Sequence, residues 1–110
     1  WKLQYADGTF AVGTEIADEN GSSHEQIVWE MINGAWYPFG SNGYVKSGLV
    51  YDAALGGTFY VDINSGMKTG WQQVDGVWRY FSTVSDGKRG IMLVNTTVDG
   101  YYINEEGIWM

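Results

Sequence analysis

Trp71, Gln73, Trp78 and Tyr80 fall at alternate positions on either side of Asp75-Gly76, and that spacing decides what they can do. Successive side chains of an extended chain point to opposite faces, so these four share one face. Three aromatic rings side by side can enclose a cation, an attraction worth up to about 2 kcal/mol per desolvated ring. They can equally stack on the apolar face of a sugar, with the Gln73 amide taking a hydroxyl. For any single ring taken alone, core packing is the commoner role.

Other chemistries find less support. A glycosidase needs two carboxylates held across a cleft, but Asp7, Asp75, Asp86 and Asp99 each precede a glycine, where a turn explains them. His24 is the one histidine and the chain has no cysteine, so neither a Ser-His-Asp set nor a conventional zinc site can be assembled around it. The acidic stretch with Glu15, Asp18 and Glu19 lacks the alternate-position oxygen ligands of a calcium loop. No segment resembles a phosphate-cradling loop. The sequence predicts no catalytic residue, no metal and no cofactor.

The elements that must position the rings are hairpins. Asp-Gly between two runs of β-branched and aromatic residues predicts a two-residue type I′ turn. Val74 then faces Val77, Gln73 faces Trp78, Gln72 faces Arg79 and Trp71 faces Tyr80, with Val74, Val77 and Phe81 on the opposite face. The unit recurs at Asn33-Gly34, Gly56-Gly57 and Asp99-Gly100, and more faintly at Asp7-Gly8. A large ring follows each turn glycine by two residues: Trp36, Phe59, Trp78, Tyr102 and Phe10. A second glycine follows at Gly43, Gly66, Gly87 and Gly107, three of them opening a short basic connector. Units of this length cannot bury their own faces, so they must stack. The predicted fold is all-β, a repeat solenoid of stacked β-hairpins.

Residues 1–13 form a first partial hairpin with Tyr5 opposite Phe10. Residues 14–26 form a polar acidic insert, expected as a surface loop. Residues 27–110 carry about four hairpin repeats. In the second hairpin Ile32 pairs with Ala35 and Met31 with Trp36, which puts Trp29, Met31 and Trp36 on one face. Leu49 replaces the leading Trp of the third hairpin, and the fifth also lacks that Trp, so strong and weak units alternate.

Composition narrows the partners. A net charge of −7 disfavours nucleic acid, which is normally met by a basic face, and favours drawing a cationic group to the surface. Six Trp and eight Tyr in 110 residues exceed what so small a core requires, leaving rings for binding. The lack of cysteine removes disulfides without excluding secretion. The chain starts at Trp1 with no signal-like segment and reads as a fragment of something longer.

Asn64-Ser65-Gly66-Met67-Lys68-Thr69-Gly70-Trp71, followed by Asp75-Gly76-Val77-Trp78-Arg79-Tyr80-Phe81, resembles the cell-wall-binding repeat of secreted Gram-positive proteins. That superfamily includes choline-binding modules, glucan-binding repeats and clostridial toxin repeats. Asn33 to Gly43 is a second good copy, and the resemblance runs from about Ile27 to the end. It implies a non-catalytic, secreted, cell-wall-associated module that binds choline-bearing teichoic acid or polysaccharide, without membrane insertion. In the choline-binding members a box uses both Trp of one hairpin and a Tyr of the next. By motif position that implies Trp29 and Trp36 with Tyr60, and Trp71 and Trp78 with Tyr102, while Gln73 suits a sugar. A hydrolase domain upstream of Trp1, a homodimer, and a stalk without a small ligand all stay open.

Overall fold

The computed structural model describes residues 1–109 and builds them from eleven short strands. Strands β1 (Thr14–Ala17) and β2 (Ser23–Gln26) form one hairpin, and β3 (Val28–Ile32) and β4 (Ala35–Phe39) the next. Strands β5 (Gly48–Asp52), β6 (Gly57–Asp62) and β7 (Gly66–Lys68) make a three-stranded sheet. Strands β8 (Gly70–Val74) and β9 (Val77–Phe81), then β10 (Thr96–Val98) and β11 (Tyr101–Ile103), complete the series. The fold is all-β, a succession of hairpins.

Three turns carry two left-handed residues each: Asn33 and Gly34 at φ 50° and 83°, Asp75 and Gly76 at 51° and 84°, and Asp99 and Gly100 at 52° and 82°. Asn and Asp tolerate that region better than other side chains, and glycine enters it without strain. The turns fix register. Met31 opposes Trp36 and Ile32 opposes Ala35, and Trp71, Gln72, Gln73 and Val74 oppose Tyr80, Arg79, Trp78 and Val77, as the turn dipeptides predict.

Three expectations change. The acidic stretch at 14–26 is not a loop but the β1–β2 hairpin, with Ile16 opposite His24. Glu15 faces Glu25 across it, a like-charge pair that would oppose pairing. Lys46 offsets it, its Nζ lying 2.6 Å from Glu25 Oε1, while Ser41 donates its backbone N–H to Oε2 at 2.7 Å. These partners, Lys46 first, hold the Glu25 carboxyl below its ordinary range. His24 is tied to Asp18 across the turn at 2.8 Å.

The second change is at Gly56-Gly57. Asp52 Oδ1 accepts the N–H groups of Ala54 and Leu55 at 2.9 and 3.1 Å, and Gly56 donates to the Asp52 carbonyl at 2.8 Å. The aspartate thereby nucleates a longer loop, and Gly57 becomes the first residue of β6, opposite Asp52. The third is at the start of the chain, where Gln4 rather than Tyr5 bridges Phe10. Asp7 caps Thr9 at 2.9 Å and Tyr5 donates to the Thr9 carbonyl, which widens the turn by shifting the pair outward.

From β3–β4 onward, each hairpin ends on one buried apolar residue that meets the connector returning past it. Phe39 opposes Val45, Val61 opposes Met67, Phe81 opposes Met92 and Ile103 opposes Trp109. Phe39, Phe81 and Ile103 are wholly buried and Val61 is 1 % exposed. From Phe39 these positions advance by 22, 20 and 22 residues, and they form the spine on which the hairpins stack. Backbone bonds couple neighbours, including Met92 N to the Thr58 carbonyl at 2.7 Å and Trp109 N to the Trp78 carbonyl at 2.9 Å.

Candidate functional site

Positions can be counted from the spine. Two residues before it stand Tyr37, Phe59, Arg79 and Tyr101 in successive hairpins. These lie on the same strand face as one another and opposite to their immediate neighbours. They decide where rings from different hairpins meet.

Near the end of the chain, Trp71, Trp78, Tyr101 and Trp109 line an open recess of about 340 Å³. Strands β8 and β9 supply the two Trp, β11 supplies Tyr101, and the final connector supplies Trp109. Tyr101 stands edge-on to Trp71, centroids 6.0 Å apart at 90°, and to Trp109 at 5.1 Å and 79°. Tyr80 braces Trp71 from across the hairpin at 5.2 Å. Edge-to-face pairing is the preferred geometry of ring quadrupoles, and here it aims ring faces at a common space. Trp78 is 40 % exposed and Tyr101 49 %, so both faces remain reachable. The Trp71 indole N–H donates to Asp99 Oδ2 at 3.0 Å, which fixes the ring and sets a carboxylate beside it.

The same four positions recur one strong unit earlier. Trp29, Trp36, Phe59 and Met67 line a recess of about 370 Å³, joined by Leu55 and by Ser85, Gly87 and Arg89. Trp29 corresponds to Trp71, Trp36 to Trp78, Phe59 to Tyr101 and Met67 to Trp109. The Trp29 indole donates to Asp52 Oδ2 at 2.8 Å, as Trp71 does to Asp99. Phe59 lies edge-on to Trp29 at 5.1 Å and 63°.

The predicted tyrosines are each one residue out of place. Tyr60 faces away from Trp29 and Trp36 and stacks on Phe81 at 5.8 Å, so Phe59 takes the position assigned to it. Tyr102 sits opposite Thr97, exposed, and Tyr101 takes its place. Gln73 opposes Trp78 and is exposed but does not line the recess. Trp109 and Met67 escaped the sequence reading; what they share is the pairing with a spine residue, Ile103 and Val61. Leu49 in the leading position and Arg79 two before Phe81 leave the weak unit between the two recesses without a comparable set.

The fold and both recesses can be set beside known structures. The choline-binding domain of a Streptococcus pneumoniae protein is 35 % identical, over 74 % of this chain and 92 % of that one, with a TM-score of 0.63. The chain belongs to the cell-wall-binding repeat superfamily. Choline-binding protein F of Streptococcus pneumoniae, solved in the presence of a tetrasaccharide-pentapeptide peptidoglycan analogue, is 27 % identical over the whole of this chain, with a TM-score of 0.64. The chain spans 43 % of that protein. An alternansucrase in complex with isomaltotriose shares the repeat fold at 21 % identity, over 99 % of this chain and 10 % of the enzyme, with a TM-score of 0.62. No family model and no curated protein matches the sequence.

Proposed function

We propose that this chain is a non-catalytic cell-wall attachment module that holds the quaternary ammonium of choline in the recess formed by Trp71, Trp78, Tyr101 and Trp109. One observation carries the reading: four rings from two hairpins and a connector face one reachable space with a carboxylate behind them. A quaternary ammonium has no N–H to donate, so it must be recognised by ring faces and charge, which is what the recess presents. Ring contributions of about 2 kcal/mol at most, less the cost of association, point to a dissociation constant near the millimolar range. Several such modules, or one tethered to a hydrolase upstream, would gain by effective concentration on the wall. The likeness to the pneumococcal choline-binding domain supports this ligand.

The test is to titrate choline into the protein and follow tryptophan fluorescence, with a glucan and purified peptidoglycan in parallel. Saturable quenching by choline supports the reading. A response to polysaccharide alone replaces choline with a sugar stacked on the same rings, and silence to all three leaves a stalk.

A further inference from the structure

The two recesses share a plan but differ in charge, and the difference selects another ligand for the first one. The recess near the end of the chain has the Asp99 carboxylate bonded to its leading Trp and no cationic lining residue. The recess of Trp29, Trp36 and Phe59 has Arg89 in its lining. Its own aspartate, Asp52, is 3 % exposed and occupied by the N–H groups of Trp29, Gln26, Ala54 and Leu55.

Arg89 is exposed, and the fold fixes the backbone beside it. Its loop closes through Gly90 N to the Ser82 carbonyl and Ser82 N to the Ile91 carbonyl, both at 2.8 Å. Gly90, at φ 93°, lies against Met67, which itself lines the recess, and a Cβ there would sit 2.5 Å from the Met67 sulfur. Among the described residues Arg89 forms no ion pair. The nearby Asp86 in the loop uses Oδ1 to cap the Lys88 N–H at 2.9 Å.

A guanidinium at the mouth repels a quaternary ammonium and attracts an anion, and its planar fork suits a carboxylate or phosphate. The exposed indole face of Trp36 beside it suits the apolar face of a pyranose, with the buried Phe59 ring forming the floor. We infer that the Trp29–Trp36–Phe59 recess binds a saccharide bearing an anionic substituent, its ring stacked on Trp36 and its carboxylate or phosphate paired with Arg89. This deepens the wall-attachment reading by giving the two recesses different components of one anionic polymer surface, and the test reports each recess separately.

The experiment is an NMR titration of the intact chain that follows the indole N–H resonances of Trp36 and Trp78. Glucuronate, glucose 6-phosphate, neutral glucose and choline are added separately to the wild type and to Arg89→Gln. At least one anionic sugar is expected to move Trp36 with an affinity about tenfold above glucose, an advantage that Arg89→Gln abolishes. Which anion succeeds distinguishes carboxylate from phosphate. Choline is expected to leave Trp36 still in the wild type, whatever it does at Trp78. Equal response to glucose and the anions, no response to any sugar, an anionic preference that survives Arg89→Gln, or choline binding at Trp36 of the wild type would each overturn the assignment.

Discussion

Trp29 donates its indole N–H to Asp52, a buried carboxylate of the next hairpin, at 2.8 Å. The bond is structural as well as positional, because the same carboxylate also receives Gln26 Nε2 and the N–H groups of Ala54 and Leu55. One side chain thus orients the leading ring of one unit, shapes the loop of another and ties the two together.

Asp52→Ala is expected to lower stability by about 3 kcal/mol, since several partly buried donors lose their acceptor together. The change should appear in thermal or urea unfolding followed by circular dichroism. A loss under about 1 kcal/mol would show that water replaces the carboxylate without cost.

Asp99 plays the matching part for Trp71 at 3.0 Å but is exposed. Asp99→Asn keeps a residue that tolerates the turn's positive φ while removing the charge. Stability should shift by less than about 1 kcal/mol, while choline affinity falls severalfold. Isothermal titration and unfolding of the same variant separate the two effects.

Phe81→Ala removes a wholly buried spine residue and should destabilise the chain by about 3–5 kcal/mol. In a hairpin stack the loss spreads to both neighbours, so hydrogen exchange should rise in β6 and β11 as well as in β9. Exchange confined to β9 would mean that the units are energetically independent.

Acid should loosen the β1–β2 hairpin. Glu25 has a folded-state pKa below its unfolded value, owing chiefly to Lys46 and then to the Ser41 N–H. Its contribution is therefore full above the unfolded value, near pH 4.3, and is lost as pH falls through the folded value. Glu25→Gln should flatten this part of the pH–stability curve, measured by urea unfolding between about pH 2 and 6. An unchanged slope would assign the acid sensitivity to other carboxylates.

Much of this was legible because Asn-Gly and Asp-Gly carry their own geometry. Those dipeptides gave the registers of β3–β4 and β8–β9, hence the faces of Trp29, Trp36, Trp71 and Trp78. Gly56-Gly57 misled because Asp52, four residues upstream, captures the loop N–H groups, and a tertiary partner for that carboxylate cannot be read locally. Tyr102 stands on the other strand face from Tyr101 for a related reason. From Gly76 to the spine residue Phe81 is five residues, but from Gly100 to Ile103 only three, so counting from the turn glycine lands on the wrong face. Strand side chains have a period of two, and an error of one residue reverses them. Counting back from the spine reaches Phe59 and Tyr101, the residues that line the recesses, but the spine is defined by which connector residue returns to it. The pairing of Glu15 with Glu25 was likewise hidden, because the cation that permits it, Lys46, lies outside that stretch.

The central claim is that the rings around Trp78 are a site rather than core, and Trp78→Ala tests it most directly. Choline should quench wild-type tryptophan fluorescence saturably at about millimolar concentration, and the variant should lose that response. It should stay folded with its neighbouring hairpins intact, because Trp78 is 40 % exposed and lies outside the buried spine. A variant that binds choline as the wild type does, or one that unfolds along with its neighbouring hairpins, would contradict the account.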